Sequence, residues 1–180
     1  MFRFPFSKKK LLIIGIVLII VGLSILSYNK FLEYCDIKKQ TNIINRDFYS
    51  GTTNEYNDLK YIIIPELNIK RIIMDDSTDE ILDRYYVGLV SGNIDDSLGN
   101  IVLAGHNVKQ VFHGLHQIKL GAEIILKSKQ KETFIVDNKY ETLKNDYNVL
   151  KTTTDIKKLT LITCTHDPDY RLIVTAKKVE

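Results

Sequence analysis

The feature that most constrains this chain is an uncharged apolar run over residues 11–28. A helix of this length spans about 27 Å, which is close to the thickness of a bilayer core. The run follows three lysines at positions 8–10, and basic flanks of a membrane span stay on the cytoplasmic side. We therefore predict a cytoplasmic tail over residues 1–10, a transmembrane segment over residues 11–28, and an extracellular remainder.

A cleaved signal peptide is the alternative interpretation of the same run. Signal peptides have a shorter apolar region, which ends at a cleavage site of the A-x-A type. Residues 23–28 of this chain contain no alanine. We therefore predict an uncleaved signal anchor, and hence a single-pass protein of the cell membrane with its N-terminus in the cytoplasm.

The segment after the apolar run reads as a stalk. Apolar side chains up to Ile37 could continue the helix, whereas the composition turns polar from Lys38 and residues 50–54 carry a linker signal. This pattern predicts an extracellular stalk over residues 29–58 and a folded domain over residues 59–180. Cys35 lies near the predicted membrane surface, where we expect a free thiol without a function.

The charge balance excludes one class of partner. The chain has 25 basic and 22 acidic residues, and four of the basic ones precede residue 29. The rest of the chain therefore carries 21 basic and 22 acidic residues, a net charge of −1. A nucleic-acid-binding domain would show a basic face, so we expect no nucleic-acid partner. Two cysteines also cannot form a disulfide framework.

Short apolar strands separated by turn signals fill the folded domain. The predicted strands cover residues 61–64, 69–74, 87–90, 100–106, 123–127, 133–137, 158–165 and 170–176. Short helices are predicted over residues 77–86, with Ser77 or Thr78 as the cap, and over residues 108–118. Residues 138–157 look polar and irregular. Some eight strands with little helix predict a mainly β fold, an antiparallel or mixed barrel.

Three chemically reactive side chains lie at the ends of predicted strands. Cys164 ends one apolar strand, Arg171 begins the next strand after a short turn, and His106 ends a third. A thiol, an imidazole and a guanidinium brought together would suit a thiolate active site. The alternative is that Cys164 is a small buried hydrophobic residue and that His106 and Arg171 are ordinary surface groups.

The sequence around these residues resembles one family. TLITC at residues 160–164 resembles the TLxTC motif of sortases, the membrane-anchored cysteine transpeptidases of Gram-positive bacteria. GNIVLAGHN at residues 99–107 resembles the strand that delivers their catalytic histidine, and Arg171 matches their arginine. Two flanking segments agree, residues 64–69 and the F-x2-L-x2-hydrophobic-x2-G pattern over residues 112–121. The resemblance covers residues 60–178 and implies the eight-stranded sortase barrel.

The resemblance also implies roles and partners. Cys164 would attack the carbonyl of an LPxTG-like sorting signal on a surface protein and form a thioester. His106 would protonate the leaving amine and deprotonate the incoming one, and Arg171 would stabilise the oxyanion or hold the substrate backbone. The acceptor would be an amine of a cell-wall precursor or a pilin. The resemblance implies no cofactor.

Other histidines offer alternatives within this site. His166 follows Cys164 by two residues, so it is a rival base, although the Asp-Pro turn after it should end the strand there. His113 and His116 are three residues apart and could ligate zinc together with Cys164 or His106. Their spacing matches no usual zinc finger, so we expect no metal site.

Class and calcium are further expectations from the resemblance. The short gap between Cys164 and Arg171 and the compact chain look like class D, whereas Asn107 in the GHN triplet is seen more in class B. We predict a class D-like sortase. Some sortases bind calcium through acidic loop residues, but we expect Asp95 and Asp96 to lie in a solvated loop.

Two functions of other kinds stay open on the sequence alone. The chain could be a hydrolytic cysteine protease, or a non-catalytic, membrane-anchored module that binds peptides in the barrel groove. Products formed with and without an amine would separate the first from a transpeptidase, and labelling by a thiol-reactive peptide would separate the second.

Overall fold

The computed structural model describes residues 8–50, 58–109, 111–152 and 155–179. The first seven residues of the predicted cytoplasmic tail and residues 51–57 of the predicted linker lie outside this part of the chain. The chain forms two compact units, Met1–Lys38 and Lys39–Glu180.

One long helix, α1, begins in the first unit and covers Lys8–Ser50. It is the one helix among the described residues that is long and apolar enough to cross a membrane, and none of its apolar window is buried in the protein. An exposed apolar surface of this kind is costly in water and suits a lipid environment. The helix therefore fits a single-pass membrane anchor.

The last part of α1 belongs to the second unit and packs on it. Gln40, Ile44 and Phe48 recur every four residues, so they share one helix face. Ile44 is fully buried against Tyr61 and Ile63, and Phe48 packs against the same cluster. The helix thus continues through residues that were predicted as a polar stalk. The sequence did not indicate this, because the apolar stripe is narrow and its residues are separated by polar neighbours.

Eight strands form a closed barrel, which confirms the predicted fold class. Their order around the barrel is β1-β2-β3-β4-β7-β8-β6-β5. The strands are β1 Tyr61–Ile64, β2 Ile69–Met74, β3 Val87–Ser91, β4 Gly99–Ala104, β5 Glu123–Lys127, β6 Lys131–Leu143, β7 Lys157–Cys164 and β8 Tyr170–Lys178. Neighbouring strands are antiparallel except in the β2–β3 and β4–β7 pairs, which are parallel.

The barrel interior is filled by alternate side chains of the strands. Ile101 and Leu103 of β4 point inward together with Leu159 and Leu161 of β7, and all four are essentially buried. Because side chains alternate along a strand, the residues between them point outward. This alternation decides which residues of β4, β7 and β8 can meet a ligand on the outer surface.

Strand β6 is longer than its apolar pattern predicted. Residues 138–143 were expected to be irregular, yet they pair with β8 up to the Leu143–Tyr170 partners. Most of these side chains are exposed, so backbone pairing rather than burial of apolar side chains defines this half of the strand. A 3-10 helix over Tyr147–Leu150 follows before β7.

The two predicted helices are shorter in the structure. Helix α2 covers Asp79–Asp83, and its N-cap residue is Thr78, one of the two predicted caps. In the segment predicted as a helix over residues 108–118, the helical part of the described residues is a 3-10 helix, His113–Gln117. Phe112 and Leu115 are nevertheless fully buried. Packing of these apolar side chains, rather than a regular helix, holds this short segment.

Candidate active site

The three predicted reactive residues lie in one row across adjacent strands. Cys164 at the end of β7 is the direct cross-strand partner of Arg171 near the start of β8. On the other side of β7, Ala104 of β4 is the partner of Ile162. His106 lies two residues beyond Ala104 and Cys164 two residues beyond Ile162, so they end at the same level. Cys164 is therefore the middle residue of the row, with His106 on one side and Arg171 on the other.

Hydrogen bonds beyond the last strand pair tie these ends together. The Gly105 amide donates to the carbonyl of Ile162 over 3.1 Å, and the Thr163 hydroxyl donates to the carbonyl of Gly105 over 2.8 Å. The Asn107 side-chain amide then donates to the carbonyl of Cys164, also over 2.8 Å. These bonds continue the β4–β7 pairing to the end of the row and fix the backbone of Cys164.

The side chain of His106 is held by a residue that the sequence analysis did not single out. Its Nε2 lies 3.0 Å from Oδ1 of Asp83, the last residue of α2. The His106 side chain is 35% exposed and that of Asp83 73% exposed. Asp83 precedes His106 by 23 residues and is one of several acidic residues in its segment, so no spacing pattern could have identified it.

Arg171 is anchored to the turn that follows Cys164. Its Nη1 donates to the carbonyls of Pro168 and Tyr170, each over 2.9 Å. Both bonds use the same nitrogen. In the described part of the chain, the other guanidinium nitrogens of Arg171 have no hydrogen-bond acceptor. Because guanidinium has donors on three nitrogens, Arg171 can bind an anionic or carbonyl oxygen while it stays attached to the turn.

An outer groove of about 210 Å³ lies on the barrel and meets this row at Arg171. Its floor consists of outward-facing residues of the three strands, Ala104, Ile162 and Ile173, which are neighbours in register. Arg171 also lines the groove, and Leu143 belongs to its wall. A mainly apolar lining of this kind is typical of ligand-binding sites in proteins.

The wall of the outer groove is held by a buried polar pair. Asn100 Nδ2 donates to the carbonyls of Val149 (2.9 Å) and Lys151 (3.1 Å), while Asn100 Oδ1 accepts a 2.7 Å bond from the Thr160 hydroxyl. Asn100 and Thr160 are both buried. The pair joins the segment between β6 and β7 to the barrel and gives the groove a defined wall.

A second cavity, of about 340 Å³, opens at the thiol. We call it the thiol cavity. Its lining includes Cys164 and Asn107 together with three histidines, His113, His116 and His166. His166, the predicted rival base, therefore lies near the thiol, whereas His106 does not line this cavity. The structure thus places two histidines near Cys164, His106 level with it just beyond the end of β4 and His166 in the lining of the thiol cavity.

The described residues contain no group of three or more His, Cys, Asp and Glu side chains that could hold a metal ion. The His113 and His116 rings lie edge to face with centroids 6.1 Å apart, and His116 Nδ1 donates to the carbonyl of His113.

In the acidic loop before β4, Asp95 pairs with Lys129 at 3.6 Å. Burial acts to raise the pKa of Asp95, but hydrogen bonds from Ser128 and Lys129 hold it below its usual value.

Comparison with solved structures finds the same fold in sortases. Sortase C1 from Streptococcus agalactiae matches with a TM-score of 0.63 at 24% identity, over 71% of this chain and 70% of its own. Sortase A from Listeria monocytogenes matches with a TM-score of 0.61 at 18% identity, over 69% and 88%. The sortase D5 transpeptidase from Clostridium perfringens matches with a TM-score of 0.64 at 23% identity, over 82% and 98%.

Comparison with curated proteins finds no match. The family model of the sortase domain matches residues 62–179, which is more than half of the chain and includes all eight strands apart from Tyr61. Together with the closed eight-stranded barrel, this match shows that the chain belongs to the sortase family.

Proposed function

We propose that this sortase cleaves an LPxTG-like sorting signal of surface proteins through a thioester on Cys164 and joins the product to an amine. Membership of the family makes the chain a sortase transpeptidase. The observation that carries the finer proposal is the row of His106, Cys164 and Arg171 on adjacent strand ends. Arg171 of this row lines the outer groove, and Cys164 lines the thiol cavity, so both cavities open at the row.

The proposed reaction has two acyl transfers. In the first, Cys164 attacks as the thiolate, with its proton on His106. Its sulfur bonds to the scissile carbonyl carbon, the C–N bond breaks, and the His106 imidazolium gives that proton to the leaving amine. In the second, an incoming amine bonds to the same carbon, gives up a proton to His106, and the C–S bond breaks. Arg171 donates to the carbonyl oxygen, which becomes negatively charged in both steps.

The proposed acceptor is an amine of a cell-wall precursor or of a pilin. The anchoring helix α1 would hold the enzyme at the membrane with residues beyond the apolar run outside the cell. Lys8–Lys10 support this orientation, because basic residues next to a span stay in the cytoplasm. The class D-like assignment stays a prediction from the short spacing of Cys164 and Arg171.

The test is a transpeptidation assay on the purified full-length chain in detergent, with a panel of LPxTG-like peptides and with or without a primary amine. We expect a thioester on Cys164 that mass spectrometry detects, and a peptide–amine product that replaces the hydrolysis product when amine is added. His106→Ala should reduce turnover by about 10²–10⁴-fold, the usual contribution of a general acid–base group.

The same assay identifies the competing functions. Hydrolysis at an unchanged rate with no amine product would indicate a cysteine protease. Peptide binding without any cleavage would indicate a peptide-binding module. Protease treatment of intact protoplasts tests the topology, because an extracellular domain should be removed and a cytoplasmic one protected.

A further inference from the structure

We propose that Asp83 is a positioning residue that fixes the tautomer and orientation of the His106 imidazole. This inference rests on the proposed role of His106 as the acid–base group. Its basis is the 3.0 Å contact between Asp83 Oδ1 and His106 Nε2. An ionised carboxylate can only accept a hydrogen bond, so the proton of this bond belongs to Nε2.

The consequence for the reaction concerns the other ring nitrogen. In a neutral imidazole one nitrogen carries the proton and the other accepts one. With Nε2 held protonated by Asp83, the free lone pair of His106 is on Nδ1. Nδ1 is therefore the atom that exchanges protons with the leaving and incoming amines. Asp83 transfers no proton and acts on the reaction only through the position of His106.

Helix α2 is built to hold this carboxylate in place. On one side, β3 approaches the start of the helix so closely that a Cβ on Gly88 would lie 2.6 Å from Ser77 Cα. Gly88 is also the strand partner of Ala104, two residues before His106. The helix segment is thus seated directly on the strand next to the one that carries the imidazole.

The other end of α2 is tied to helix α1. The buried Gln40 side chain donates to the carbonyl of Arg84, the residue after Asp83, and accepts from the amide of Ile72, both over 3.4 Å. These bonds are long and individually weak. Together with the Gly88 contact they restrain α2 at both ends, so the position of Asp83 is set by the fold and not only by its bond to His106.

The ion pair itself is too exposed to matter much for stability. Exposed pairs contribute about 0–1 kcal/mol, and Asp83 is 73% exposed. Asp79 and Glu80 lie on the same helix and, among the contacts of the described residues, neither reaches His106. A kinetic effect confined to Asp83 would therefore separate positioning of the imidazole from general effects of charge or helix stability.

The first test compares Asp83→Asn with Glu80→Gln, a matched loss of charge on the same helix, in the full-length chain in detergent. Asp83→Asn should lower kcat for transpeptidation by about 10-fold or more with little change in the KM of the peptide. The effect should be smaller than the roughly 10⁴-fold loss known for a buried catalytic carboxylate. Glu80→Gln should change neither, and Asp83→Glu should recover part of kcat, since a carboxylate can still reach the ring.

The second test does not depend on turnover. Nitrogen NMR of the ¹⁵N-histidine-labelled full-length chain reports which nitrogen of each neutral imidazole is protonated, and His106→Gln identifies the signal. We expect the Nε2-protonated form of His106 in the wild type and a mixture of tautomers in Asp83→Asn. A wild-type His106 protonated on Nδ1, or equal kcat losses in Asp83→Asn and Glu80→Gln, would overturn the proposal, even if the substrate assignment were correct.

Discussion

The two ends of strands β4 and β7 differ in how their polar side chains are satisfied. At the end that we call the reactive end, His106, Cys164 and Arg171 keep donor or acceptor atoms that the described residues do not use. At the opposite end, which we call the paired end, Lys157 begins β7 with a side chain only 3% exposed. Its Nζ lies 2.5 Å from Glu132 Oε2 and 2.7 Å from the carbonyl of Ile94.

The paired end forms a closed network of charges. The second oxygen of Glu132 binds Lys178 at 2.7 Å, so one carboxylate serves two ammonium groups. Burial acts to raise the pKa of Glu132, but hydrogen bonds from Lys157 and Lys178 bring it below its usual value. Polar side chains at the two ends of the barrel therefore have different roles. Charges that are neutralised inside the protein maintain the fold, whereas unsatisfied groups at the reactive end are available to a substrate.

The largest effect should come from removing the proposed nucleophile at the reactive end. Cys164→Ala should abolish both peptide cleavage and the covalent intermediate, because no other described side chain in the row can form the thioester. The melting temperature should stay within a degree or two of the wild-type value, since Cys164 is only partly buried. Cys35→Ala, which removes the exposed second thiol, is the control and should keep full activity.

The opposite pattern is expected at the paired end. Glu132→Gln leaves the buried Lys157 ammonium without its counter-charge, and breaking a buried pair typically costs about 3–5 kcal/mol. We expect the lower end of this range, because the carbonyl of Ile94 still accepts from Lys157. The measurement is chemical unfolding, with kcat measured in parallel. Glu123→Gln, an exposed carboxylate on β5, is the control. If Glu132→Gln is less stable but has a normal kcat, the paired end serves stability and not catalysis, as we expect. If Glu132→Gln keeps its stability but has a low kcat, the proposed difference between the two ends is wrong.

The contribution of Glu132 should also depend on pH. Its pKa in the folded protein is below the usual value of 4.5, so the folded state favours the ionised form. The stabilisation is therefore fully present above about pH 4.5 and is lost as the pH falls through the lowered folded value. The gap in unfolding free energy between wild type and Glu132→Gln should stay constant from pH 8 to 5 and narrow below pH 4. A gap that widened in acid would contradict the pairing.

The smallest effect should follow from a change beside the nucleophile. His166 lines the thiol cavity, but His106 is level with Cys164 on the neighbouring strand. His166→Ala should therefore retain most turnover, within about 3-fold of the wild type, a loss far below that of a general base. His113→Ala, in the same cavity, is the matched comparison. If His166→Ala is inactive while His106→Ala stays active, the base is His166, which reaches the thiol from the thiol cavity.

Much of the barrel could be predicted because its strands are short apolar runs bounded by turn residues. The second half of β6 could not, because its exposed residues carry no apolar alternation and only pairing with β8 makes them a strand. The last part of α1 could not be predicted either, because its position depends on contacts with the barrel. A contact such as Ile44 with Tyr61 and Ile63 joins segments that are polar or distant in sequence, so composition alone suggests a stalk.

The sequence by itself determined the long apolar helix, the succession of strands and the identity of the three residues in the row, since each depends on local composition or on a short motif. Tertiary structure alone decided which polar groups meet. The parallel β4–β7 register sets His106 level with Cys164, and the pairing of β8 with both β7 and β6 brings Glu132 to Lys157. Asp83 reaches His106 only because β3 and α1 hold α2 beside the end of β4. Such contacts depend on packing between segments far apart in the chain, and no local pattern encodes them.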